Sequence, residues 1–255
     1  MYWHTVGVVN RRRVSGTFPN GEHGSEERPA SGVAIQWGRH NLILTAKHAL
    51  DDALPDDIRI FCRPRGDLEI QLSVTPLPLL QNDNSDCQAR IYRCGWEDIA
   101  VLTQPPFEGM NLEPFHLHGN WAEPNTGDKL IGYGFPTADC FKVAEVQHSP
   151  EMRSFARAVP PAHWESSVIR PVPFREFDES HYYVIRWDPD TMGQPHGYSG
   201  SAAWRIPEHA GGIWFPRLQF CGILTHFDRE KKAERVVKAS AIVKYLSDTF
   251  GAVQN

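Results

Sequence analysis

The sequence predicts an all-β protein made of two β-rich halves and closed by a C-terminal helix. Short runs of β-branched and aromatic residues recur at intervals of about ten residues with turn signals between them, a spacing typical of a β-barrel or sandwich. A passage rich in proline, asparagine and glycine at 105–127 interrupts this pattern. Such a break favours a boundary between two compact units, and we place the units at 1–115 and 116–255.

The first half is predicted to be a series of short strands. Gly38, Arg39 and His40 form a turn between two apolar runs, which predicts a hairpin. Residues 10–30 are polar and turn-forming, which predicts a long loop or an arm. The strands are expected at 3–9, 31–38, 41–46, 58–62, 68–74, 89–93 and 99–102.

The second half combines further strands with the only segment of clear helical spacing. Apolar residues recur every three or four positions from Ile242 to Phe250, with Ser240 as the expected N-cap and Gly251 as the end. This predicts a closing helix at about 240–250. The strands are expected at 129–136, 142–146, 182–187, 201–204 and 218–225.

Composition excludes several classes of function. A chain of 255 residues is long enough to form a core without disulfides or a metal. The net charge of −5 and the lack of a basic stripe argue against nucleic-acid binding, since residues 11–13 are the only dense basic run. The five cysteines show no metal-ligand spacing, so a structural zinc is not expected. No metal and no cofactor are predicted for the chain.

Cellular location is predicted from the N-terminus and the cysteines. The first nine residues lack the charged and apolar regions of a signal peptide, and no apolar run approaches the length of a membrane span. Five widely spaced cysteines, an odd number, indicate reduced thiols. We therefore expect a cytoplasmic protein without a membrane partner.

The most informative stretch is the five-residue run at 197–201, Gly-Tyr-Ser-Gly-Ser. Glycine takes positive φ at little cost, so such a run can form a tight loop whose backbone N–H groups converge. Acyl transfer needs this arrangement: a hydroxyl nucleophile with backbone donors where an oxyanion forms. An ordinary surface loop has a similar composition, so Ser199 requires a base elsewhere in the chain.

Two other passages supply candidates for that base and for its orienting acid. His48 follows a β run within an Ala-rich turn, and Asp98 stands at the start of an apolar strand. Either residue alone is unremarkable, because the chain has twelve histidines and many acids. Together with Ser199 they form an ordered set of histidine, aspartate and serine, separated by 50 and 101 residues.

These passages resemble the catalytic segments of the chymotrypsin-like (trypsin-like) serine peptidases. The chain order is the one used by that family, and it differs from the orders of subtilisins and α/β-hydrolases. The segment 222–225 resembles the strand that lines the family's primary pocket, and 237–246 resembles its closing strand and helix. The resemblance covers roughly residues 30–250.

The resemblance implies a fold and a mechanism. The fold is two packed six-stranded antiparallel β-barrels with a C-terminal α-helix, and the cleft lies between the barrels. His48 acts as general base toward Ser199, Asp98 orients His48, and the N–H groups of Gly197 and Ser199 form the oxyanion hole. The expected partners are a protein or peptide substrate and a regulatory or activating protein.

The chain departs from the family at Tyr198 and Gly193. Zymogen-activated members have an aspartate in place of Tyr198, which pairs with a new N-terminal ammonium after cleavage. A tyrosine cannot form that ion pair, and the chain has no Ile-Val-Gly-Gly-type start, so N-terminal trimming is not expected to activate it. Gly193 occupies the place of the acid that selects basic P1 residues, so that selection is not supported.

Four further residues are candidates for substrate binding. Thr225 replaces the usual serine of the pocket strand, and Phe227 replaces a glycine that opens the pocket. A ring there favours small or medium P1 side chains, whereas a donor on His226 favours a polar P1 group. His196 can also line the cleft.

Two alternatives remain open at this point. The first is a catalytically inactive member of the fold that serves as a binding module, and inactive members usually lose one of the three residues. The second is a lipase or esterase, which the chain order disfavours. The leading hypothesis is a regulated intracellular endopeptidase that processes few partner proteins in signalling or defence.

Overall fold

The computed structural model confirms a mostly β architecture. It places one sheet in the first half of the chain, a closed barrel in the second half, and a helix at the end. The structure describes residues 4–17, 23–51, 53–54, 58–62, 73–76, 90–103, 112–136, 162–174, 176–207 and 218–253.

The first half forms an eight-stranded sheet with strand order β5-β4-β1-β2-β3-β7-β6, and β8 pairs with β2. Alternating apolar residues such as Val6, Val8 and Ile60 face its core, as half-buried strands require. The strands are β1 (Thr5–Thr17), β2 (His23–Trp37), β3 (His40–Thr45), β4 (Ile58–Cys62), β5 (Ser73–Pro76), β6 (Arg90–Arg93), β7 (Ala100–Thr103) and β8 (Phe115–His116).

The second half forms a closed barrel of β9, β10, β11, β14, β13 and β12 in that order. Its interior is filled by large rings, including Trp164, Trp187 and Tyr198. The strands are β9 (Lys129–Gly134), β10 (Ala162–Ile169), β11 (Tyr182–Arg186), β12 (Ala202–Arg205), β13 (Gln219–Asp228) and β14 (Ala233–Lys238).

The predicted chymotrypsin-like fold class is confirmed, with some differences of detail. Over the described ranges, no pairing joins the edge strands β5 and β6, so only the second sheet is seen to close. Residues 10–17 and 23–30 are paired strand, where a loop or arm was predicted. The error arose because the alternation of apolar residues stops near residue 9, although the backbone ladder continues past it.

Several predicted segments lie partly or wholly outside the described residues. Only the end of the predicted strand 68–74 is described, as the start of β5, and the predicted strand 142–146 is not described at all. Strand β10 was not predicted, because its polar residues conceal the β pattern. The predicted hairpin is present, but its turn has two residues, Gly38 and Arg39, because His40 already pairs with Trp37 as the first residue of β3, and Gly38 takes φ 56°.

Among the described residues, two α-helices accompany the barrel strands. The helix α1 (Pro189–Met192) is a single turn ahead of the nucleophile loop, and α2 (Ala239–Phe250) closes the chain. Helix α2 begins after Lys238, so Ser240 lies within its first turn rather than at the predicted N-cap. The N–H of Ser240 donates instead to Glu123 (2.9 Å). Gly251 ends the helix with φ 86°, as predicted.

A shared apolar cluster joins the sheet, the barrel and the helix. It includes Val33, Leu44 and Val101 from the sheet, Trp204 and Ile223 from the barrel, and Leu246 from α2. This packing fixes where strand ends of the two halves meet, and the candidate site lies there.

In the described part of the chain, no helix is long and apolar enough to cross a membrane. The thiols of Cys94 and Cys221 are buried and free.

Candidate active site

His48 is presented by a short 3-10 turn at the end of β3. The turn, Lys47–Leu50, buries Ala49 and Leu50 beneath it, while the imidazole of His48 stays 44% exposed. The ammonium of Lys47 donates to the carbonyl of Cys94 (2.9 Å), which ties the turn to the segment that carries Asp98. The histidine is therefore held by its backbone and open to the solvent.

Asp98 binds His48 through both carboxylate oxygens. Oδ1 accepts the backbone N–H of His48 (2.9 Å), and Oδ2 lies 2.8 Å from His48 Nδ1. A carboxylate can only accept, so Nδ1 carries the proton and donates it. This leaves Nε2 of the neutral ring as an acceptor, which is the tautomer that a general base requires.

Ser199 lies at the other side of the imidazole. Its Oγ is 3.0 Å from His48 Nε2, so the hydroxyl donates to the free ring nitrogen. The serine stands between Gly197 (φ 95°) and Gly200 (φ 87°) in two successive turns. The three predicted residues His48, Asp98 and Ser199 are thus brought into one continuous chain of hydrogen bonds.

Two backbone N–H groups beside the Ser199 hydroxyl have no acceptor within the described part of the chain. Gly200 N–H donates to the carbonyl of Leu224 (2.7 Å), and Tyr198 N–H donates to the carbonyl of Pro195 (3.0 Å). Among the hydrogen bonds of the described residues, neither Gly197 N–H nor Ser199 N–H has an acceptor. Both groups can therefore receive an oxygen from a ligand.

A buried arginine, absent from the sequence-based candidates, lies behind Asp98. Arg235 on β14 is fully buried and pairs with Glu97 (Nη1–Oε1 2.6 Å), while its Nη2 is 3.6 Å from Asp98 Oδ2. The guanidinium carbon lies 3.3 Å from the ring centroid of Phe177. This cation offsets the negative charge of two adjacent buried carboxylates.

The pKa of Asp98 reflects these neighbours. Burial alone would raise the pKa of its carboxyl, but the hydrogen bonds from His48 and the electrostatic attraction of His48 and Arg235 outweigh burial and lower it. Asp98 therefore stays ionised across the neutral range, and Glu97 positions it by accepting its backbone N–H (2.9 Å).

Among the predicted substrate-binding residues, Gly193 and His196 lie exposed on the loop before Ser199. Gly193 ends α1 with φ 76°, and its carbonyl accepts from the indole of Trp187 (3.0 Å). A side chain at Gly193 would meet open space, because nothing lies within 4 Å of a Cβ at this position. The role of His196 in binding remains a prediction.

The predicted pocket strand is the outer part of β13. Thr225 is buried, and its hydroxyl donates to the backbone carbonyl of Arg235 on the neighbouring strand β14 (3.4 Å). The exposed His226 contacts the rings of Phe174 and Phe177, with centroids 5.7 and 6.0 Å away. Phe227 is half-buried against the barrel core. Of these three residues His226 is the most exposed, and their roles in substrate binding remain predictions.

Besides Arg235, two residues that were not predicted from the sequence contribute to the site, Glu97 and Ser31. Glu97 directly precedes Asp98, and its position beside a candidate acid was the only available signal. Ser31, on β2, donates to the carbonyl of Gly197 (2.6 Å) and accepts from the N–H of Phe135 (2.9 Å). No local pattern marks Ser31, because its partners are more than one hundred residues away.

The architecture as a whole is the chymotrypsin-like fold. No family model and no curated protein sequence matches the chain. Solved structures similar to it include an inactivated protease paralogue from the scabies mite, with 16% identity, a TM-score of 0.59, and coverage of 97% of this chain and 94% of that one.

Two bacterial proteases share the same fold. The serine endoprotease from Yersinia pestis is 14% identical (TM-score 0.51), with coverage of 98% of this chain and 63% of that one. A protease from M. tuberculosis in its active form is 14% identical (TM-score 0.50), with coverage of 99% and 83%. At these identities the likeness concerns the fold, which active and inactivated proteins both adopt.

Proposed function

We propose that this protein is a serine endopeptidase that hydrolyses peptide bonds in protein substrates. One observation carries the proposal: Ser199 Oγ, both ring nitrogens of His48 and the carboxylate of Asp98 form an unbroken hydrogen-bonded chain, with steps of 3.0 and 2.8 Å. Such a chain activates a hydroxyl that is otherwise a weak nucleophile at neutral pH.

The first half-reaction forms an acyl-enzyme. Ser199 Oγ attacks the scissile carbonyl carbon while His48 Nε2 accepts the hydroxyl proton, and Asp98 stabilises the resulting imidazolium. The oxyanion takes hydrogen bonds from the N–H groups of Gly197 and Ser199. His48 then donates its proton to the leaving amine as the C–N bond breaks.

The second half-reaction regenerates the enzyme. Water attacks the acyl carbon, His48 removes a proton from that water, and the proton returns to Ser199 Oγ as the ester bond breaks. No cofactor enters this sequence of steps.

A second candidate is a binding module without activity. It is favoured by the inactivated mite protease, which has the same fold. The hydrogen-bonded arrangement supports the enzyme instead, because a module that only binds has no need for a tautomer-fixed histidine beside a serine hydroxyl.

Labelling with a fluorophosphonate probe tests the proposal. We expect the wild-type protein to be labelled and Ser199→Ala to lose labelling completely. Ser201→Ala serves as a matched control, because its hydroxyl belongs to the same loop and bonds Tyr133 and Trp164 instead of His48. Labelling of Ser199→Ala, or absence of labelling in the wild type, contradicts the proposal.

We further infer that the enzyme acts in the cytoplasm on few partner proteins, under the control of a regulatory protein, without activation by N-terminal trimming. Tyr198 supports the last point, because it is buried against Trp187 (5.1 Å between ring centroids) and carries no charge to bind an ammonium. Comparing new protein N-termini in cells that express wild type or Ser199→Ala tests the substrate range. Broad cleavage of unrelated proteins contradicts it.

A further inference from the structure

Ser31 joins the two halves of the molecule at the nucleophile loop. It lies on β2 in the first sheet and is fully buried. Its hydroxyl donates to the carbonyl of Gly197 (2.6 Å) and accepts from the N–H of Phe135 (2.9 Å), both in the second half. A serine hydroxyl has one proton to donate, and the N–H of Phe135 can only donate. The hydroxyl proton of Ser31 therefore lies in the hydrogen bond to the Gly197 carbonyl oxygen.

The bonded carbonyl belongs to the peptide unit that separates the two candidate oxyanion donors. Gly197 N–H lies on the preceding peptide unit and Ser199 N–H on the following one. Because each peptide unit is planar, the orientation of the middle unit sets how the two N–H groups are directed relative to each other. The other side of this unit is held as well, since Tyr198 N–H donates to Pro195 (3.0 Å).

The main chain of Ser31 holds the same loop at a second point. Its N–H donates to the carbonyl of Ser199 (2.8 Å), and its own carbonyl accepts from the Thr45 hydroxyl (2.7 Å). Contact is so close that a Cβ on Gly200 would lie 2.0 Å from the Ser31 carbonyl. The backbone and the side chain of Ser31 therefore hold peptide units on both sides of the Ser199 N–H.

We propose that the Ser31 hydroxyl is a positioning group that keeps the Gly197 and Ser199 N–H groups ready to bind an oxyanion. The hydrogen bond from Ser31 to the Gly197 carbonyl thus takes the place of the ion pair between an aspartate and an N-terminal ammonium. Tyr198 cannot form that ion pair. This inference deepens the proposed peptidase function and rests on it for its catalytic consequence, while the bond itself can be tested without activity.

The catalytic test compares Ser31→Ala with Ser201→Ala. Both remove a fully buried hydroxyl that donates to one backbone carbonyl and accepts one N–H, but Ser201 bonds Tyr133 and Trp164, away from the Gly197 carbonyl. We expect Ser31→Ala to lower the fluorophosphonate inactivation rate constant about 10- to 100-fold, somewhat less than loss of an oxyanion donor. We expect Ser201→Ala to lie within about threefold of wild type, with similar loss of thermal stability in both variants.

A second measurement tests the hold on the loop independently of activity. Hydrogen exchange of the Tyr198 amide should become at least about tenfold faster in Ser31→Ala than in Ser201→Ala, because its peptide unit loses the carbonyl anchor. Amides of β13 serve as the internal reference for general loosening.

The outcomes separate this inference from the proposed function. If the wild type is not labelled but Tyr198 exchange still accelerates selectively in Ser31→Ala, the peptidase proposal fails and the structural hold stands. If the wild type is labelled but the two variants have equal inactivation rates and equal Tyr198 exchange, the Ser31 proposal is overturned while the function stands.

Discussion

Replacing Arg235 by methionine should reveal how much the cation behind Asp98 stabilises the protein. Methionine keeps apolar bulk against Phe177 but removes the positive charge. Arg235 has no exposed side-chain surface, and Glu97 retains only 1%. At an effective dielectric constant of about 20, unit charges about 4 Å apart interact by about 4 kcal/mol. Because the variant leaves Glu97 and Asp98 without this cation, we expect a loss of about 3–5 kcal/mol in unfolding free energy at pH 7.

The loss should depend on pH in a defined direction. The native environment lowers the pKa of Asp98, so its ionised form stabilises the fold above the pKa of the unfolded chain, and this contribution disappears as pH falls through the native pKa. Without Arg235 the native pKa of Asp98 rises. The difference between wild type and Arg235→Met should therefore be largest at neutral pH and shrink toward pH of about 4.

Urea unfolding at pH 7 and at acidic pH provides the assay. Lys244→Met is the control, since Lys244 and Asp248 form a pair (2.6 Å) in which both side chains are more than half exposed. Such exposed helical pairs contribute about 0.3–0.5 kcal/mol. An Arg235→Met loss below about 1 kcal/mol, or one that grows on acidification, would refute the reasoning.

Two further changes have definite expected effects. Burial raises the pKa of Glu234 well above its usual value, and Oε2 has no hydrogen-bond partner among the described residues. The wild type therefore loses stability as pH rises past the pKa that Glu234 has in the unfolded chain. Glu234→Gln should raise the melting temperature at pH 7 and change it little near pH 4. A lower melting temperature at pH 7 would contradict this expectation. Gly200→Ala should abolish labelling and sharply lower the melting temperature, because φ is 87° and the new Cβ would lie 2.0 Å from Ser31 O. Gly119→Ala is the control, because φ is 73° there but nothing lies within 4 Å of the new Cβ, so the expected loss of stability is only about 1–2 kcal/mol. Equal losses of stability in the two variants would contradict the expected clash at Gly200.

The sequence alone determined what depends on neighbouring residues. The hairpin turn at Gly38, the helix that ends at Gly251 and most barrel strands follow from local spacing and turn chemistry. His48, Asp98 and Ser199 were found because each stands beside a recognisable strand or glycine turn. The order of the three residues along the chain then indicated one mechanism.

The tertiary structure alone decided which distant residues hold these groups in place. Packing of the first sheet against the barrel brings Arg235 on β14 to Glu97 in the loop before β7, across 138 positions, and Ser31 on β2 to Gly197 in the nucleophile loop, across 166 positions. Neither contact leaves a local pattern, because the partner that a buried charge or hydroxyl requires is here supplied by a loop distant in the sequence. The identity of the nucleophile is therefore encoded locally. The ion pairs that Arg235 forms with Glu97 and Asp98, and the hydrogen bond from Ser31 to the nucleophile loop, form only when the sheet and the barrel pack together.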